Sequence, residues 1–193
     1  MNQSDNYPTP LDEIRSLLQA FQEGYTRRDV TQVDRFMELF TPEAEVIGTN
    51  GVRPGVDEWY TDRASARELV HGDWQGWGDL RLDWDSVSLN RRGFVGWVAA
   101  AGTVTQTIGS ENYASYLEFV KKFMEDSDLS AEQKLLYILR GGTNTLYELR
   151  RGEKFVWPLR LTAVVVREGN RWKFAQMNFS FPTIYFPDVR LME

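Results

Sequence analysis

The stretch Arg160-Leu161-Thr162-Ala163-Val164-Val165-Val166-Arg167-Glu168-Gly169-Asn170-Arg171-Trp172-Lys173-Phe174-Ala175-Gln176-Met177-Asn178-Phe179-Ser180-Phe181-Pro182 decides how this chain folds. Two runs rich in β-branched and aromatic residues flank Glu168-Gly169-Asn170. They read as a β-hairpin in which residues 158–167 pair with residues 171–181. Side chains alternate across a strand. Leu161, Ala163 and Val165 therefore share a face, as do Ala175, Met177 and Phe179, and both apolar sets are expected to point inward. The same alternation turns Trp172 and Phe174 outward with Gln176, Asn178 and Ser180. A large apolar side chain left in water forgoes roughly 1.5–3 kcal/mol of burial. A homodimer through that outer, convex face is therefore expected.

Upstream of the hairpin, residues 94–107 read as a long strand with small residues at its middle, Ala99-Ala100-Ala101-Gly102. Leu80, Leu82 and Trp84 alternate with Arg81, Asp83 and Asp85, the period of a half-buried strand with both aspartates outward. Thr9 caps and Pro10 opens an N-terminal helix, with Asp12 suited to its dipole. Its apolar stripe is Leu11, Ile14, Leu17, Leu18, Phe21 and Tyr25. Asp29 or Thr31 starts a second helix carrying Val33, Phe36, Met37 and Phe40, ended by Pro42. Ala44 to Gly48 reads as a short strand closed by the Asn50-Gly51 turn. A third helix is expected over residues 56–70, capped by His71-Gly72 and followed by the loop Asp73-Trp74-Gln75-Gly76-Trp77-Gly78. Few strand–helix alternations and polar hairpin turns favour an antiparallel sheet in an α+β fold.

Composition bounds the rest. The 193 residues suit one domain, 1–193, and 42% of them are hydrophobic, too many for disorder. There is no cysteine, which removes disulfides, thiolate metal sites and cysteine nucleophiles and fits a cytoplasmic location. No secretory leader and no membrane span is expected. With 22 Lys plus Arg against 28 Asp plus Glu the net charge is -6, so nucleic acid is not an expected partner. Phosphate-binding loops, dinucleotide fingerprints and nucleophile elbows are missing. A single histidine makes a histidine-rich metal centre impossible, and neither a metal nor a cofactor is expected.

Three segments together carry a family resemblance: Leu39-Phe40-Thr41-Pro42-Glu43-Ala44-Glu45-Val46, then Arg160-Leu161-Thr162-Ala163-Val164, then Trp172 through Pro182. They resemble SnoaL-like domains of the NTF2-like superfamily, over about residues 10 to 107 and 156 to 182. That resemblance implies a cone: N-terminal helices packed on a curved antiparallel sheet, with a pocket between them. It also marks residues 109–155 as a helical insertion between two strands; its amphipathic helices, with Tyr116, Phe123 and Met124, are read as a lid, an extension of the dimer or a peripheral subdomain. One departure matters. The histidine usual in the last motif is Asn178 here, so no histidine chemistry carries over to that position. The superfamily includes isomerases, cyclases, dehydratases, oligomerisation domains and small-ligand binders, so fold analogy alone does not choose among them.

An apolar, aromatic-lined pocket would be walled by Trp59, Tyr60, Trp74, Leu161, Ala163, Met177 and Phe179, with Tyr25, Phe40 and Trp77 near by. Aromatic residues at helical spacing are also ordinary core. For chemistry the candidates are Asp73 or His71 as base and Tyr25 or Tyr60 as hydrogen-bond donor. His71 equally suits a helix C-terminus, where a cation complements the dipole. Three functions follow as expectations. The first is binding of a small hydrophobic molecule without catalysis. The second is a lyase or isomerase acting on a hydrophobic carbonyl compound. The third is an assembly domain with a vestigial pocket.

Overall fold

The structure is a computed structural model, and it describes residues 8–107, 111–126, 128–136, 138, 139, 142 and 154–181. Two compact units emerge: residues 1–104 with 156–193, and Thr105–Phe155. The larger unit is α+β, with helices covering one face of a curved, unclosed sheet. Helix α1 runs Pro10–Arg27. It opens on a full capping box in which Thr9 and Asp12 each satisfy the other's backbone N–H. Its buried stripe is Ile14, Leu17, Leu18, Phe21 and Tyr25. One polar residue joins that stripe: Gln22 donates to Leu80 O (2.7 Å) and accepts from Leu82 N (2.7 Å), locking α1 to strand β3 (Asp79–Leu82).

The second helical segment is shorter than expected. Asp29 caps a single 3-10 turn, Val30–Gln32, and α2 covers only Val33–Met37. Phe40 belongs to strand β1 (Phe40–Ile47), which runs through Pro42. The expected helix over residues 56–70 also breaks up. Trp59–Tyr60 is a two-residue strand, β2, pairing antiparallel with Val46 and Ile47. Helix α3 is Arg63–Gly72, started by Asp62, whose carboxylate accepts from Ser65 N (2.7 Å). Gly72 is no left-handed cap, because its φ is -64°. The chain continues into one wide π-type turn, Asp73–Trp77, and Gly78 at φ 129° ends it.

The sheet order is β2-β1-β7-β6-β5-β3, with β4 (Ser88–Arg92) also on β5 (Val95–Thr107). Strands β6 (Lys154–Glu168) and β7 (Arg171–Ser180) form the expected hairpin, turning on Gly169 at φ 58°. The sheet is not purely antiparallel: β1 pairs parallel with β7, Val46 opposite Met177.

The hairpin carries the main correction. Between Val164 and Val165 the register slips, so that Val164 faces Gln176 while Val165 faces Phe174. Ala175 is the extra residue of a β-bulge, which reverses the expected alternation for the residues that precede it. Trp172 and Phe174 consequently lie inward, 5% and 0% exposed, on the same side as Met177 and Phe179. Ala175 itself is half-buried. The outward rings that motivated a dimer through the sheet are thus part of the monomer's core, and Trp172 Nε1 donates to Glu13 of α1 (2.9 Å). Leu161, Ala163 and Val165 are buried as expected, and Asp83 and Asp85 are exposed.

The smaller unit contains α4 (Glu111–Asp126), where Leu117, Phe119 and Met124 are exposed. Ser130 and Gln133, which have the capping-box spacing in the sequence, make a reciprocal cap at 2.9 and 3.2 Å. Residues 143–150 also read as a strand in the sequence, and the tail from residue 182, apolar at Ile184, Tyr185 and Phe186, as a segment that docks; both lie outside the described residues. Among the described residues no helix is long and apolar enough to cross a membrane.

Candidate functional site

Aromatic rings fill the space between α1 and the sheet. Phe21 packs on Tyr25, Phe36, Phe174 and Phe179, with ring centroids 4.8–6.1 Å apart. Leu161, Ala163 and Met177 lie in this closed core, as does Phe40. A small cavity stays open at one edge, ≈ 80 Å³, lined by Gly48, Thr49, Asn50, Glu58, Leu69, Asp73, Trp77 and Phe179. Ligand pockets usually measure about 300–1,000 Å³. The cavity is therefore small, and its lining is as much polar as aromatic.

Asp73 is placed there by the π-type turn at the end of α3, a geometry that recurs at functional sites. Its Oδ2 accepts a 2.8 Å hydrogen bond from the Tyr25 hydroxyl, which comes from the C-terminal half of α1. Burial pushes the Asp73 carboxyl up to about 7; the Tyr25 hydrogen bond pulls it down and the Glu58 charge adds to the rise. Tyr25 is 1% exposed, and burial beside Asp73 raises its phenol well above the ordinary value. The pair therefore works as a carboxyl group poised near neutrality and held by a phenol that keeps its proton.

Glu58 is the partner that sequence reasoning missed, since it falls within the helix expected over residues 56–70. It lies in the loop before β2 and accepts from Asn50 N (2.9 Å) and Asn50 Nδ2 (3.0 Å). Glycine makes this possible: a Cβ at Gly48 would collide with the Glu58 carboxylate. The signal available in the sequence was the pair Gly48 and Gly51 bracketing Asn50, a loop able to close on a side chain. Thr49, also missed, adds a hydroxyl to the cavity lining.

The other expected residues lie elsewhere. His71 sits in the last turn of α3, half-buried, and does not line the cavity. Tyr60 is half-buried on β2, its phenol raised by burial and by the Glu58 and Asp73 charges. Trp59 is half-buried and donates through Nε1 to Glu45 (2.7 Å). Trp74, beside Asp73 in sequence, turns its ring away onto Phe36, 4.9 Å between centroids. Its Nε1 is buried with no hydrogen-bond partner among the described residues, an arrangement that costs about 1–3 kcal/mol.

No known family profile matches the chain, and no curated protein does. Solved structures match over most of its length. A ketosteroid isomerase-like protein from Erwinia carotovora atroseptica aligns with a TM-score of 0.56 at 11% identity, covering 91% of this chain and 98% of that one. A putative dehydratase of the NTF2-like family from Streptomyces avermitilis aligns at 0.55 and 12%, covering 89% and 95%. An NTF2-like protein of unknown function from Pseudomonas putida KT2440 aligns at 0.53 and 9%, covering 89% and 86%. At such identities the likeness speaks to architecture. Together with the α1–α3 layer on the curved sheet and the closing β6–β7 hairpin, it shows that this chain has the NTF2-like fold.

Proposed function

We propose that the chain is an acid–base enzyme, a lyase or isomerase acting on a small carbonyl compound, with Asp73 as the base. The observation that carries this reading is the Asp73 carboxylate itself, at the cavity wall, 2.8 Å from the buried Tyr25 hydroxyl and titrating at about 7. A base poised near the working pH is the most effective one. Two structural neighbours, a ketosteroid isomerase-like protein and a putative dehydratase, favour the same class. Ionised Asp73 takes a proton from the carbon next to the carbonyl. The electron pair of that C–H bond moves into a new C=C bond, and the carbonyl oxygen becomes an enolate oxygen. Thr49, which lines the cavity, is assigned to stabilise that oxygen through its hydroxyl. Return of the proton to a different carbon completes an isomerisation. Loss of a β-hydroxyl as water completes a dehydration. Tyr25 is a positioning residue, since it acts through Asp73.

The test is deuterium uptake in D₂O by a panel of short-chain ketones, β-hydroxyketones and β,γ-unsaturated ketones, followed by mass spectrometry. Uptake catalysed by the chain should rise through pH about 7 and fall by about 10²–10⁴-fold in Asp73→Asn. Tyr25→Phe removes the hydrogen bond that lowers the carboxyl, so its profile should move to higher pH without losing the whole rate. If no member of the panel exchanges faster with the chain than with buffer, the base assignment falls and binding without chemistry is the reading that remains.

A second reading concerns assembly. We propose a homodimer through the outer face of the sheet, now resting on β5 and no longer on Trp172 and Phe174. Trp97 and Val95 point outward there, 48% and 44% exposed, beside half-buried Val164 and Val166 of β6. Light scattering in the micromolar range should give the dimer mass, and Trp97→Glu should give the monomer. A monomeric parent chain would end this proposal.

A further inference from the structure

The larger unit has a cleft roomier than the one at Asp73. It measures ≈ 490 Å³ and lies between the C-terminal half of α1 and the stretch from Asp29 to Leu39. Its volume is within the usual range for small-molecule sites, about 300–1,000 Å³. The aromatic part of its lining is Phe36 and Trp74, whose rings meet at 65°. Gly24 lets both rings pack close against α1. A Cβ there would strike the Phe36 ring and come within 3.2 Å of Trp74 Cζ2. The indole edge that carries Cζ2 also carries Nε1, because both atoms are bonded to Cε2. That edge therefore faces the Gly24 wall of the cleft, and Nε1 is the buried donor left without a partner among the described residues.

The charges at the rim point the same way. Glu23 is ion-paired with Arg27. Asp29 is engaged in capping, its Oδ1 accepting from Thr31 N at 3.0 Å and Thr31 Oγ1 at 2.6 Å. Arg35 has no ion-pair or side-chain hydrogen-bond partner among the described residues. The cleft thus combines an aromatic wall, one uncommitted guanidinium and one unsatisfied indole N–H, and it has no unengaged carboxylate to repel an anion. We propose that it binds a small aromatic carboxylate, the ring against Phe36 and Trp74, the carboxylate on Arg35, and Trp74 Nε1 donating to a ligand oxygen. In the empty protein Nε1 is closed to water, so binding draws the indole edge toward the cleft. This site is independent of Asp73, which does not line it.

The test uses the full chain labelled with ¹⁵N, naphthalene-2-carboxylate as ligand, and the indole N–H signals assigned through Trp74→Phe and Trp77→Phe. The Trp74 signal should shift saturably. Arg35→Gln, an exposed substitution, should weaken naphthalene-2-carboxylate about tenfold. The same substitution should leave the weaker binding of naphthalene-2-methanol unchanged. Three results would overturn the proposal: no saturable shift of Trp74, a shift confined to Trp77 at the other cavity, or equal affinity of parent and Arg35→Gln for the carboxylate.

Discussion

Asp73→Asn raises the melting temperature of the chain at pH 8 and leaves it nearly unchanged at pH 4. The direction follows from proton linkage. Burial pushes the carboxyl up to about 7 in the folded chain from its ordinary value of 3.8. Below the lower value both states hold the proton, and the group costs nothing. Between the two values the unfolded chain has lost its proton while the folded chain keeps it, so stability falls as pH rises. Above about 7 the loss is complete and flat. Asp73 is only half-buried by accessible area, so the full penalty is set at about 2–4 kcal/mol. In a domain of this size that corresponds to roughly 5–15 °C. Asparagine keeps an oxygen for the Tyr25 hydroxyl and cannot ionise, so it escapes the penalty. Circular-dichroism melts of both proteins from pH 4 to pH 8 check it. A difference between them that does not change with pH would show that Asp73 is ordinarily solvated. A stabilised but inactive variant is the mark of a site that sacrifices stability for function.

Phe174→Ala destabilises by about 3–5 kcal/mol, the usual loss for a buried phenylalanine. Phe174 is 0% exposed and packs its ring on Phe21 and Phe40, at 5.8 and 5.2 Å. On an outer sheet face the same substitution would cost less than about 1 kcal/mol. Urea unfolding therefore distinguishes the two placements of the β7 side chains. A loss of only a few tenths would restore the simple alternation and remove the bulge at Ala175.

That bulge shows where the sequence stops being readable. The capping pair Thr9 and Asp12, the stripe of α1, the long strand β5 and the β6–β7 hairpin were all legible, because each rests on local chemistry: a cap, a period, a turn. The bulge was not, since one extra residue leaves composition untouched while turning Trp172 and Phe174 through the sheet. Trp59 and Tyr60 failed for a related reason. Their apolar spacing suits a helix, but pairing with Val46 and Ile47 makes them a strand. At the site, Asp73 was visible as a carboxylate beside aromatics. Its hydrogen bond to Tyr25, 48 positions away, depends on how α1 lies over the end of α3, and no local pattern encodes that. Glu58 was hidden because its role comes from the Gly48–Asn50 loop folding onto it.

The parallel pairing of β1 with β7 joins segments on the order of 130 residues apart, Val46 with Met177. Contacts of such long range slow folding, since the chain must close a large loop before they form. During synthesis, then, β1 emerges with one sheet neighbour it cannot yet meet. Its edge stays unpaired until the last hairpin leaves the ribosome, and a nascent chain stalled before that point exposes the strand to the pairing errors that chaperones exist to prevent.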